Sequence, residues 1–394
     1  MKKYLVPFIC LLIIGQQPSF AADRPSFVVL PYLQWATQTS IEIKWETEQP
    51  TTGWVQYGPA EFGAKAPNLS LTSAISADTT FHTVRLTGLA IQTEHFYRTV
   101  SVSQSGDTLY SNVYPFKTAV KDDSPIGFIV FSDSQGRPNP NVWGQIATLA
   151  EAERPDFAIH AGDQVDNGHR LSDWIGQFLP QGQPFMSKYN VYATIGNHEG
   201  DAPYFHKYLG HPEGRDKRAY TVTYGNAQII LFDSNQDLSE GSKHYKELEA
   251  ELAKSTARWK IVAHHHCIYS SDNDDHGNTH VAKSTLGIPR LAHLPALYEK
   301  YDVDLVFYGH VHAYERTWPL RNNAVDTQNG IVYVQTGGNG GGLETPALMR
   351  SWFTNKIKYG HHFSYVRIAQ GQLQCQAIDL NGAVFDQFEL KKDY

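Results

Sequence analysis

The sequence predicts an all-β sandwich over residues 25–118 joined to an α/β domain over residues 126–394. Three observations carry this reading. At 394 residues the chain exceeds what one ordinary core needs, so two domains are expected. Up to Thr118 apolar residues alternate with polar ones in short runs, whereas beyond Gly127 they form unbroken runs separated by amphipathic stretches. Five of those later runs end on a residue able to bind a metal ion.

The first residues set the compartment. A positive "MKK", an apolar "YLVPFICLLIIG" and small residues "SFAA" form the pattern of a signal peptide over residues 1–22, cut after Ala21 or Ala22, so a periplasmic or secreted protein is expected. The apolar run is too short to read comfortably as a membrane span, and no other segment serves as one. Cys10 would leave with the signal. Cys267 and Cys375 cannot be paired without coordinates. A formal charge of −7 supplies no basic surface for nucleic acid or an anionic membrane.

The runs "SIEIKWET", "GWVQYG", "HTVRLTGL", "HFYRTVSVS" and "YPFKTA", with Gly, Pro, Asn, Asp and Ser between them, predict about seven antiparallel strands. The charged "KTAVKDDSPIG" reads as an interdomain linker. Beyond it, continuous apolar runs are expected as strands covered on both faces. Helices are expected at "NVWGQIATLAEAE", "KHYKELEAELAKS" and "RLAHLPALYEKY". The cluster "GGNGGG", residues 337–342, lacks the GxGxxG pattern and a following helix, and reads as a turn.

The chemistry lies at the ends of the apolar runs. "IGFIVFSDSQG" leads into Asp133, "DFAIHAGDQVDNG" into Asp163, and "YNVYATIGNHE" into Asn197 and His198. "WKIVAHHH" leads into His265, and "VDLVFYGHVH" into His310 and His312. Ligands of α/β sheets bind beyond the carboxyl ends of the strands, so five such ends can supply one site. Carboxylate, amide and imidazole donors without a thiolate cluster suit a pair of metal ions, and a carboxylate bridging two cations sets the spacing that clamps a phosphoryl group. Phosphoester hydrolysis follows as the favoured chemistry.

"GDQ", "GNHE", the VxxH that ends on His265, and "GHVHAYER" together resemble the motifs of the calcineurin-like metallophosphoesterases, and the last octet resembles their purple acid phosphatase branch. "PYLQWATQTSIEIKWET" and "HTVRLTGL" are similar to the fibronectin type III-like domain that precedes the catalytic domain in that branch. The resemblance implies a four-layer α/β/β/α sandwich. It implies Asp133 and His312 on a first metal, Asp163 bridging, and Asn197, His265 and His310 on a second. It makes His198 a phosphate-binding donor and puts His276, in "SSDNDDHGNTH", near the phosphate or leaving group. In the run "HHH", VxxH selects the middle histidine. His264 is then expected to face away as a hydrogen-bonded structural residue, His266 to steady the ligand or its loop, and Glu199 to orient His198.

Two positions depart from the pattern. Purple acid phosphatases have a tyrosine three residues after the bridging aspartate, where this chain has Asp166, and other branches have a histidine where it has Gln135. A protein that is not purple is expected, with Fe, Mn or Zn all permitted by the remaining donors and with either Gln135 or water completing the first metal's shell. The function implied is hydrolysis of a small phosphate ester, a monoester by the octet, through a metal-bound hydroxide. The alternatives are a phosphodiesterase acting on nucleotides or lipid head groups, or a non-catalytic surface-binding protein.

Overall fold

A computed structural model describes residues 24–271, 289–344 and 350–392. The residues expected as a signal peptide, and His276, lie outside these. Strands from Phe27 to Lys117 form the amino-terminal sandwich. Its organising element is the long strand Ser40–Pro59. The first half pairs with Phe27–Gln34 and Ser76–Thr87, and the second half with Glu94–Ser103. Register shifts between Glu46 and Gly53 mark the bend that lets one strand serve both layers. Trp45, Ile43, Val55, Tyr97 and Phe116 fill the space between.

The α/β domain contains two sheets packed face to face. In the six-stranded sheet, Ile126–Phe131, Phe157–His160 and Asn190–Ala193 run parallel, and an antiparallel meander from His362 to Lys391 extends it beside Ile126–Phe131. In the seven-stranded sheet, Ala227–Phe232, Trp259–Ala263, Leu305–Tyr308 and Val332–Thr336 run parallel. Side-chain alternation sorts the layers. Phe128 and Val130 face the other sheet while Ile129 and Phe131 face helices, and Leu305 and Phe307 face inward while Val306 and Tyr308 face outward. Helix Val142–Ala152 covers one outer face and helix Lys243–Lys254 the other, giving four layers. Ser242 caps the latter helix by accepting the Tyr245 N–H.

The predicted helix at "RLAHLPALYEKY" is shorter than its pattern: Pro295 lies in its first turn and the helix spans Leu294–Lys300. Helical turns from Leu171 to Met186, with a π-helical segment at Trp174–Phe178, were hidden in the sequence by Gly176, Pro180, Gly182 and Pro184.

The expected linker enters the core at its start, while Lys121, Asp122 and Asp123 are exposed. Ala119 and Val120 are buried with Trp35 between the sheets. Trp35 Nε1 donates to Gly210 O at 3.0 Å, Tyr32 Oη to Tyr208 O at 3.0 Å, and Tyr97 Oη to Ser187 O at 2.8 Å. The first two bonds fix the sandwich against the segment that follows "GNHE", and the third fixes it against the chain just before strand Asn190–Ala193. Cys267 and Cys375 belong to different core clusters and no disulfide joins them.

Candidate metal centre

The carboxyl ends of five parallel strands meet at one place, three from the six-stranded sheet and two from the seven-stranded sheet. Each chain must turn sharply as it leaves its strand. Asp133, Asp163 and His310 adopt φ of 58°, 54° and 72°. Non-glycine residues held in that region cost on the order of 1–3 kcal/mol each, a strain that the packed sheets on either side sustain. Two glycines allow the approach. A Cβ on Gly309 would lie 2.0 Å from Asp133 Oδ2, and one on Gly196 would lie 2.1 Å from Asp163 Oδ1.

The side chains then converge. His265 Nε2 stands 3.2 Å from Asp163 Oδ2 and 2.9 Å from Asn197 Oδ1, which is also 2.9 Å from His310 Nδ1. Both Asp133 oxygens accept the His310 backbone N–H at 3.0 Å, and Asp133 Oδ1 is 3.6 Å from His312 Nε2. Ligand atoms of Asp163, His265 and His310 all fall within 4.8 Å of one another.

Hydrogen bonding on the far side of two rings decides what faces inward. His265 Nδ1 donates to Ala161 O at 3.0 Å, and His312 Nδ1 donates to Gly342 O at 2.6 Å. In the neutral rings both Nε2 atoms are therefore lone pairs, directed at carboxylate and amide oxygens that are also acceptors. Acceptors facing acceptors in a buried place require a cation, so the donor set fits metal ions.

The electrostatics agree. Burial would raise Asp133, but the hydrogen bond from His312 and the charges of His265 and His312 hold it well below the usual carboxylate range. Burial would lower His265, yet Asp163 raises it to about 9, and Asp133 likewise raises His312 to about 9 against its burial. Protons held so firmly between acceptors mark where positive charge is favoured.

His198 lies on the same rim, its side chain 39% exposed, with its backbone N–H on Asp163 Oδ1 at 2.9 Å. Its ring is oriented by the Asp166 carbonyl, which accepts from Nδ1 at 2.8 Å, and not by Glu199 as expected. Glu199 instead accepts the backbone N–H groups of Asp163, Gln164, Val165 and Gly196. It fastens the two turns that carry Asp163 and Asn197.

His264 turns away from the centre as alternation requires, onto Phe232 and Tyr308. The expectation that it is hydrogen-bonded fails: neither ring nitrogen has a hydrogen-bond partner among the described residues, and burial lowers the ring to about 3. His266 packs its ring against those of His265 and His310 and makes two hydrogen bonds with Ser234 Oγ, one through Nδ1 and one through its backbone N–H.

"GGNGGG" is more than the turn expected. A Cβ on Gly341 would meet the His312 ring at 2.5 Å, and one on Gly340 the Gln135 carbonyl at 2.7 Å. Asn339 accepts the Ser132 N–H at 2.6 Å and donates to His362 O, joining neighbouring strands immediately before Asp133. A single asparagine within five glycines was the available signal.

The calcineurin-like phosphoesterase profile matches residues 126–314, and that of the purple acid phosphatase N-terminal domain matches residues 28–118. This chain joins a purple acid phosphatase N-terminal domain to a calcineurin-like phosphoesterase domain. It is 30% identical to a protein of Arabidopsis thaliana named probable inactive purple acid phosphatase 24, over 80% of this chain and 58% of that one. It thus spans little more than half the length of that relative. It is 26% identical to mouse acid phosphatase type 7, covering 96% of this chain and 94% of the other. A Hordeum vulgare protein named nucleotide pyrophosphatase/phosphodiesterase is 26% identical over 62% of this chain and 74% of its own. The purple acid phosphatase from yellow lupin seeds shares the fold, with a TM-score of 0.79 at 22% identity, over 94% of this chain and 75% of the lupin chain.

Proposed function

We propose that this chain is an exported phosphomonoesterase of the acid phosphatase kind, working with two metal ions. Asp133, Asp163 and His312 would hold one ion, and Asp163, Asn197, His265 and His310 the other. Such a pair supplies Lewis acidity toward water and toward phosphoryl oxygens. Oxygen and imidazole donors suit Mn, Fe or Zn.

The chain's own groups divide the remaining work. Glu199 and Asn339 hold the ligand-bearing turns in place. His198, with Nδ1 committed to the Asp166 carbonyl, presents Nε2 to the cleft at 3.8 Å from Asp163 Oδ2, where the ring in its protonated form can donate to a phosphate oxygen and stabilise charge growing on it. His276 is proposed as a further donor to the phosphate or leaving group from the resemblance alone. Support for export comes from the first 22 residues, and among the described residues no helix is long and apolar enough to cross a membrane.

The observation that carries this reading is the convergence of inward-facing acceptors from five strand ends. It also weighs against the inactivity that the names of the Arabidopsis relatives suggest, because six donors of the pattern, Asp133, Asp163, Asn197, His265, His310 and His312, are present and close together, although the tyrosine and histidine positions differ. The barley relative supports a second reading, hydrolysis of phosphodiesters. Nitrophenyl phosphate and its bis ester, assayed in parallel on protein of measured metal content, separate the two. Asp163→Asn should lower turnover of the preferred ester by at least about a thousandfold with circular dichroism unchanged. Undiminished turnover in that variant, or in protein stripped of metal, rejects the proposal.

A further inference from the structure

The two positions where this chain departs from its relatives' pattern, Gln135 and Asp166, behave differently in space. The Asp166 carboxylate faces Arg137, with Oδ2 3.7 Å from Nε. Gln135 is 2% exposed and points into the centre. Its amide lies against the backbone carbonyls of Asp163 and Asp133, which can only accept, so Nε2 donates to them at 3.1 and 3.2 Å. That orientation puts Oε1 3.1 Å from His312 Nε2.

His312 Nδ1 is committed to Gly342 O, so in the neutral ring Nε2 carries a lone pair, and Asp133 Oδ1 lies 3.6 Å from it. Three acceptors, an amide oxygen, an imidazole nitrogen and a carboxylate oxygen, thus share one buried corner. Whenever Nε2 carries a proton this 3.1 Å contact is a hydrogen bond from Nε2 to Oε1, and it equally matches the roughly 3.0 to 3.4 Å that separates donors about 2.1 Å from a common ion.

We propose that the Gln135 side-chain oxygen is a ligand of the ion held by Asp133 and His312, replacing the donor that relatives take from tyrosine or histidine. The inference rests on the two-metal reading above. The two N–H bonds to the carbonyls of Asp133 and Asp163 hold the amide ready for the ion, and the same bonds tie this ligand to the turns that bear both carboxylates.

The test is titration of chelator-stripped full-length protein with Mn2+, followed by calorimetry and by the electron paramagnetic resonance signal of free Mn2+. Wild type should bind two equivalents. Gln135→Met, which keeps the bulk but lacks the oxygen, should bind one of them at least tenfold more weakly and leave the other unchanged. Gln135→Glu, which keeps an oxygen but loses the N–H donors, should weaken binding of that ion less than Gln135→Met does. Two equivalents at wild-type affinity in Gln135→Met would overturn the assignment alone. Equal weakening in the Met and Glu variants would also overturn it, because the N–H donors would then be the operative part. Fewer than two equivalents in the wild type would remove the two-metal reading, and this assignment with it.

Discussion

Glu199 Oε2 accepts the backbone N–H of Asp163 at 2.9 Å, so the carboxylate of one motif fixes the turn of another 36 residues earlier. The same oxygen accepts from Gly196 at 2.8 Å, while Oε1 serves Gln164 and Val165.

Glu199→Gln must therefore turn an amide N–H2 toward backbone N–H donors. Each donor left unsatisfied in a buried place costs roughly 1–3 kcal/mol. The variant is expected to melt several degrees below wild type and to bind metal more weakly, measured by thermal denaturation and metal titration. The charge-preserving Glu199→Asp should remain impaired, because its shorter side chain cannot reach both turns.

Gly309→Ala brings a methyl group to 2.0 Å from both Asp133 Oδ2 and Ser132 Oγ. It should abolish binding of the ion assigned to Asp133, read as loss of one metal equivalent. Gly176→Ala is the control: a Cβ there meets nothing within 4 Å, and alanine favours the helical backbone by up to about 1 kcal/mol.

Acid should loosen the sandwich through His82. The ring is buried, stacked on Trp45 at 4.6 Å, and hydrogen-bonded to Thr51 and Ser76. Burial lowers it to about 4 from an ordinary 6.5. Between those values the unfolded chain takes up a proton that the folded chain refuses, so stability is whole above pH 6.5 and falls as pH drops toward 4. The loss reaches about 3 kcal/mol. Denaturant titrations of the full chain at several pH values should give a shallower acid slope for His82→Gln.

Iron-loaded protein should show no intense phenolate-to-iron band in its visible spectrum. Asp166 stands where the phenol would be, and its carboxylate faces Arg137. A strong band would mean that another tyrosine reaches the iron.

The layers and the meeting of the five strand ends could be read from apolar runs that stop one or two residues before Asp133, Asp163 and His265. Alternation along an extended chain was enough to separate His265 from His264. What stayed hidden was carried by backbone. Asp166 acts through its carbonyl, Glu199 binds N–H groups, and the glycines of residues 337–342 matter for the side chains they lack. Residue identity says little about where a carbonyl points. The helical turns between Leu171 and Met186 escaped for another reason: tertiary packing of Trp174, Phe178 and Phe185 overrides the poor helix propensity of their glycines and prolines.

The division of donors between two sheets has a mechanical consequence. Asp133, Asp163 and Asn197 belong to one slab and His265, His310 and His312 to the other; the slabs meet along an apolar seam, and at its open end through hydrogen bonds such as His310 N–H to Asp133 and His265 Nδ1 to Ala161 O. Bound ions would rivet the seam from its open end, so a chelator would act on this protein as a wedge.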